Sequence, residues 1–306
     1  MAEIFHSGER EIQERTGERD RAILNGRVIG GSIPAGARPF PGRQQSCVLG
    51  WVSPEGDVWS CFVTGPSGFA AADEAGTSLS IDLGGEDTIS GSIPPLDGVR
   101  AGDHLGVLFV EFATRRRLRV NGKAAEVSRS RLRIDVAEAF PNCPKYIQRR
   151  NAEHPAAAPE RDGARVEAGK RLNNALQSWI TNADTFFVAS AHRDGPVDAS
   201  HRGGKPGFVR LHGEELYIPD YPGNSMFSTL GNFAVSPRAG LVFLDFHGNR
   251  QLQLTGDVRL DLEARENAVE TGGTGRWWTF SPKKWIVSSL SPSFDWTLVD
   301  SSPFNP

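Results

Sequence analysis

The chain has 306 residues, 38% hydrophobic and 23% charged, with 17 Phe and 7 Trp. That length exceeds the ~100–200 residues of one domain, and that composition excludes a disordered chain. A net charge of −3 excludes the basic field that nucleic acid or an anionic membrane would need, and no apolar run reaches the ~18–20 residues that span a bilayer.

The first predicted element is a charged surface helix over residues 9–24, with Ile12, Ala22 and Ile23 against the first barrel. Short runs rich in Val, Phe, Leu and Trp follow, punctuated by Gly, Pro, Asp and Asn, as in antiparallel strands joined by turns. EGD at 55–57 is a hairpin turn. Strand alternation puts Arg115 and Arg117 on one face and Arg116 on the other; such a run is solvated or turns one side to an anion. Residues 151–164, NAEHPAAAPERDGA, have a linker's composition, which sets the domains at 1–150 and 169–306 with a linker at 151–168. Leu172, Ala175, Leu176, Trp179 and Ile180 mark an amphipathic helix over 170–182 that opens the second domain. RDG at 193–195 is the second clear hairpin turn. Trp277, Trp278 and Trp285, near the end, shield a ligand or fill a core. Cys47, Cys61 and Cys143 are odd in number and form no CxxC pair, so neither a disulfide framework nor a zinc site is expected, and a cytoplasmic, soluble protein is.

The two halves repeat one another. CVLGWVSPEGDVWS (47–60) lies against FFVASAHRDGPVDAS (186–200), and GPSGF (65–69) falls on GKPGF (204–208), in one unbroken register that sets Gly56 on Gly195 and Gly65 on Gly204. GVLFVEF (106–112) matches GLVFLDF (240–246), and RLRVNG (117–122) matches QLQLTG (251–256), in a second, slightly shorter register that sets Gly106 on Gly240 and Gly122 on Gly256. A period this long means a duplicated domain rather than a solenoid. Many short strands in each copy imply a mainly β fold with few helices, a small barrel in each half.

In the second copy, ADTFFVASAHRDGPVDASHRGGKPGFVRL and ELYIPDYPGNSMFSTLGNFAVSPRAGLVFLDF resemble the FMN-binding split-barrel family related to pyridoxamine 5′-phosphate oxidase. FHSGEREIQER, RRRLRVNG and FPNCPKYIQRR give the first copy the look of a two-domain subgroup. The resemblance implies two tandem split barrels forming an intrachain pseudo-dimer, with FMN at their junction and no second cofactor in the first copy. It implies a cofactor site at Ser200, His201, Arg202, Gly203 and Lys205, and at Asn224, Ser225, Thr229 and Asn232. A phosphate is held by such a set of hydroxyls, guanidinium, ammonium and main-chain N–H groups. Gly203-Gly204 and Gly223-Asn224 permit positive φ and close backbone approach there. Asn142, Lys145 and Tyr146, with Cys143 and Gln148, reach across from the first copy or close its end; Cys143 has no base assigned to it. Met226 stands where relatives often carry a basic residue. No catalytic residue is identified. The activity implied is an FMN-dependent oxidoreductase using NAD(P)H or a redox partner protein; the alternatives are a flavin-binding electron relay, or a barrel holding deazaflavin or haem. A monomer built as a pseudo-dimer and a further homodimer both fit.

Overall fold

The computed structural model describes residues 4–84, 96–153, 166–263 and 268–306, so most of the expected linker lies outside the described residues. The chain opens with helices α1 (Ser7–Arg15) and α2 (Arg19–Gly26), then the single turn α3 (Pro39–Gly42). The one helix expected over 9–24 is therefore two, broken where Gly17 adopts φ +70°. Nor do these helices lie simply on the first barrel. α1 packs on a helix of the second half, with Gly8 against Gly231, where any side chain would collide.

Seven strands build the first sheet: β1 (Ser46–Val52), β2 (Val58–Thr64), β3 (Ala70–Ala72), β4 (Ser78–Asp82), β5 (His104–Glu111), β6 (Arg116–Val127) and β7 (Arg131–Asn142). Next come β8 (Arg149–Glu153), β9 (Glu167–Gly169) and α4 (Asn174–Asn182), which Asn173 caps by accepting from the Leu176 N–H. The second sheet holds β10 (Thr185–Ala191), β11 (Val197–Gly203), β12 (Arg210–His212), β13 (Glu215–Pro219), β14 (Arg238–Asp245), β15 (Arg250–Asp261) and β16 (Trp277–Ser289), with α5 (Ser228–Val235) between β13 and β14. β17 (Asp295–Asp300) closes the chain and pairs with β8, while β9 pairs with β16. Both flanks of the expected linker are thus stitched to the second half.

Strand order is the same in the two sheets: β2-β1-β5-β6-β7-β4-β3 and β11-β10-β14-β15-β16-β13-β12. Register agrees as well. Ser46 faces Thr64 in the first hairpin, and their counterparts Thr185 and Gly203 face one another in the second. Likewise His104 opposite Lys123 becomes Arg238 opposite Asp257.

β2 and β10 are buried along their whole length because each has a face in two cores. Cys47, Leu49, Trp51 and Cys61 fill the first half's own core, and Phe186, Val188, Leu241 and Phe243 that of the second. The alternate residues Val48, Phe62, Leu108, Phe187, Ala199 and Val242 meet in a third core between the halves. Glycines allow this contact. A Cβ on Gly106 would stand 2.7 Å from the Ala199 nitrogen, and one on Gly240, its counterpart, 2.5 Å from the Trp59 carbonyl carbon. The halves therefore face one another about an approximate two-fold axis. Trp278 is core, Trp277 lies beneath the Arg210 guanidinium and the Trp285 indole donates to the Arg171 carbonyl, so these rings serve packing.

Candidate functional site

β6 of the first half crosses β11 of the second, and alternation along each strand brings Arg117 and Arg119 to Ser200 and Arg202. Their side chains line a cleft that encloses about 850 Å³, counting the open solvent at its mouth. The remaining walls are Asn142, Cys143, Lys145 and Tyr146 at and beyond the end of β7, Asp220 and Tyr221 after β13, and Gly223, Asn224, Ser225 and Phe227 of the loop leading into α5. Gly203 has no side chain because the Tyr146 carbonyl abuts it.

Three guanidinium groups dominate the electrostatics. Arg119 forms a buried ion pair with Asp198 (2.8 Å) and donates to Ser200 Oγ (2.5 Å), which also receives the Thr229 hydroxyl (3.0 Å). Arg117 donates to the Cys143 and Lys145 carbonyls. Burial, then the neighbouring Arg119 and Arg202 charges, pulls its pKa down to about 9, so it stays cationic at neutral pH. Burial lowers Arg202 too, against the favourable field of Asp220. Nε of Arg117, Arg119 and Arg202 has no hydrogen-bond partner among the described residues. α5 adds a further attraction for anions: its N-cap is Phe227, left-handed at φ 61° and without a capping side chain, so the first N–H groups of the helix are exposed to the cleft. Clustered cations with unused donors beside an uncapped helix start fit a phosphate group.

Of the residues singled out from the sequence, Asn142, Lys145, Tyr146, Ser200, His201, Arg202, Gly203, Asn224, Ser225 and Thr229 border this one cleft. Lys205 and Asn232 do not. Lys205 Nζ is drawn to the Pro306 carbonyl (2.7 Å), and Asn232, nearly one helical turn beyond Thr229, donates to Ser190 Oγ (3.0 Å) under the helix. His201 alternates away from Ser200 and Arg202, with its ring edge-on to Phe187 at 5.5 Å; burial and the charges of Arg117 and Arg202 keep it neutral. The residues with positive φ around the cleft are Tyr146, Ser225 and Phe227; Gly203, Gly204, Gly223 and Asn224 do not use that freedom, although Gly203 is closely approached by the Tyr146 carbonyl. Met226 points away from the cleft into an apolar cluster with Phe5, Ala22 and Phe140. The reading of the sequence missed Arg119, Tyr221 and Phe227. For Arg119 the signal was present, since Arg117 and Arg119 share a strand face.

At the same crossing, β15 and β2 form the counterpart junction. There Gln251 and Gln253 replace Arg117 and Arg119, and Cys61, Phe62 and Val63 replace Ser200, His201 and Arg202. Gln251 Oε1 accepts the Phe62 N–H (2.8 Å), which closes the strand edge. None of these replacements carries a positive charge.

Residues 172–272 match the family model described as pyridoxamine 5′-phosphate oxidase. That segment is similar to the pyridoxamine 5′-phosphate oxidase family. Ser200, Arg202 and the loop at 222–227 lie inside the family segment, whereas Arg117, Arg119 and Tyr146 come from outside it. The family typically binds a flavin. Among solved structures, a HupZ variant of Group A Streptococcus is 13% identical (TM-score 0.31; 37% of this chain, 98% of that one). The haem storage protein HutZ of Vibrio cholerae is 10% identical (TM-score 0.27; 40% and 95%), and an FAD-binding protein of Mesorhizobium loti 9% (TM-score 0.29; 40% and 98%). No curated protein matches the chain. No helix of the described residues is long and apolar enough to cross a membrane, and no group of three His, Cys, Asp or Glu among them could hold a metal.

Beside the family segment, two titratable groups on and next to α1 give a pH signature. Burial raises the Glu9 carboxyl to about 8 and lowers the His6 imidazole to about 4, with the His192 ring 4.7 Å away. Between pH 6.5 and 8 the folded chain keeps a Glu9 proton that the unfolded chain has lost, so stability falls as pH rises, by up to about 2 kcal/mol. Below pH 6.5, His6 acts with the opposite sign, because there the unfolded chain binds the extra proton. Unfolding by urea at pH 6.5 and 8 should show this slope, and Glu9→Gln should flatten it. An equal slope in the variant would move its origin elsewhere, with Glu138, whose carboxyl is raised by desolvation and by the Asp198 charge, the next group to replace.

Proposed function

We propose that the cleft binds FMN, one per chain, and that the protein is an FMN-dependent oxidoreductase. The observation that carries this reading is the convergence of Arg117, Arg119 and Arg202 with the Ser200 and Thr229 hydroxyls and the uncapped start of α5. Arg202 and Arg117 would hold the phosphate, and Ser200 and Thr229 would donate to its oxygens once their present partners are exchanged. Tyr146, Tyr221 and Phe227 supply aromatic surface for the ring system; the two Tyr rings lie 5.1 Å apart, and Tyr146 is fixed by its hydroxyl donating to the Pro222 carbonyl (3.0 Å). Bound there, the isoalloxazine supplies hydride and electron transfer, and the protein supplies orientation and access. NAD(P)H or a redox partner protein would reduce it. The neutral counterpart junction supports a stoichiometry of one. The three unpaired thiols agree with a reducing, cytoplasmic setting.

The test is a titration of the purified chain with FMN, FAD and a deazaflavin, followed by absorbance and by quenching of flavin fluorescence. We expect saturation by FMN at one equivalent, with FAD and deazaflavin weaker. Saturation at two equivalents would contradict the single site. Indifference to all three would overturn the flavin reading, and a Soret band on adding haem would replace it.

A further inference from the structure

The loop at 222–227 belongs to the second half, yet its contacts come largely from the N-terminal segment that carries α1 and α2. Asn25 Nδ2 donates to the Asn224 carbonyl (2.7 Å), Gln13 Nε2 to the Met226 carbonyl (3.0 Å), and Ser225 Oγ to Glu18 Oε2 (2.5 Å). Phe5 and Ala22 cover Met226. Glu18 Oε1 also meets Arg276 Nη1 (2.8 Å), whose Nε bonds Asp220 (2.9 Å) and whose guanidinium lies over the Phe227 ring at 5.1 Å. The two left-handed residues of the loop are thus each held directly: Ser225 by Glu18, Phe227 by Arg276. Such conformations are costly for residues with side chains and persist only where the surroundings over-determine them. Those two residues decide where the start of α5 points. The N-terminal helices are therefore tied into one wall of the cleft without lining it.

We propose that residues 7–26 are a strap that preorganises the cleft, with Glu18 and Arg276 as positioning residues. Docking of the strap and occupation of the cleft are then one coupled equilibrium, in which each favours the other by the same factor. The proposal deepens the FMN reading and rests on it for the identity of the ligand alone. The strap's hold on the loop is independent of any ligand.

The experiment is hydrogen exchange on the full chain with and without FMN, comparing the parent with Glu18→Ala, Glu18→Gln and Asn25→Ala. Without FMN, Glu18→Ala should speed exchange at least tenfold in residues 7–26 and 222–231 while leaving β14 and β15 unchanged. FMN should slow exchange in both segments of the parent. The FMN dissociation constant should rise about tenfold in Glu18→Ala and less in Glu18→Gln, whose amide oxygen still accepts from Ser225. Asn25→Ala gives the same reading should Glu18→Ala fail to fold. Parent-like exchange at 222–231 in the variants, or FMN protection confined to the cleft without reaching 7–26, would overturn the strap. A parent that binds no FMN, together with faster loop exchange in Glu18→Ala, would support the strap and remove the flavin reading.

Discussion

Replacing Arg202 by Ala should weaken FMN binding by roughly 10- to 150-fold, the equivalent of the ~1.5–3 kcal/mol of one charge-assisted hydrogen bond. Arg202 lies in the cleft within the family segment, with Nε unused among the described residues. Lys at this position should recover part of the loss, since the charge returns without the planar fork. Asn224→Ala should cost less, because the Asn224 side chain accepts the Met226 N–H (3.1 Å) and shapes the loop. Arg117→Ala, from the other half, should behave like Arg202→Ala if the ligand bridges the halves. Isothermal titration of each variant with FMN decides it. Unchanged curves for both arginine variants would sink the cofactor site and leave the fold untouched.

A different outcome is expected at the third guanidinium. Arg119→Ala should destabilise the unliganded protein by about 3–5 kcal/mol, since it strands the buried Asp198 carboxylate beside Glu138 and Glu9. Arg202→Ala, by contrast, removes one of three mutually repelling charges and should leave unliganded stability nearly unchanged. Urea unfolding at pH 7 separates the two roles. If Arg119→Ala unfolds at the parent's urea concentration, Asp198 is satisfied by other groups and the ion pair contributes little. Asp198→Asn should fall between, since an amide oxygen still accepts from Arg119 although the guanidinium loses its counter-charge.

The strands were legible in the sequence because period-two burial and Gly-bearing turns are local signals; the hairpins around Gly56 and Gly195 lie where EGD and RDG placed them. Ser200 and Arg202 were singled out through the family resemblance, and one strand face carries both to the cleft. Lys205 was not: its ammonium is captured by the chain's last residue, a contact between positions 101 apart. Asn232 looked equivalent to Thr229, but three residues along a helix turn a side chain far enough to reach β10 instead. Met226 read only as standing in the place of a basic residue, because nothing local showed that Phe5 and Ala22 would cover it. The break at Gly17 was within reach, as glycine in a helix invites one. That Asn25, in the second of the two helices, would hold the Asn224 carbonyl in the other half was not.

The unlike junctions at β6/β11 and β15/β2 have a consequence for how this molecule can change. In a symmetric dimer of identical chains, every substitution appears at both junctions, so ligand chemistry and adhesion are selected together on the same residues. With both halves in one chain, Arg117 can be altered without touching Gln251, and Phe62 without touching His201. One junction is free to accumulate apolar packing that its twin could not tolerate beside three clustered guanidinium groups. The other can keep crowded, mutually repelling cations that would weaken any dimer carrying two such sets.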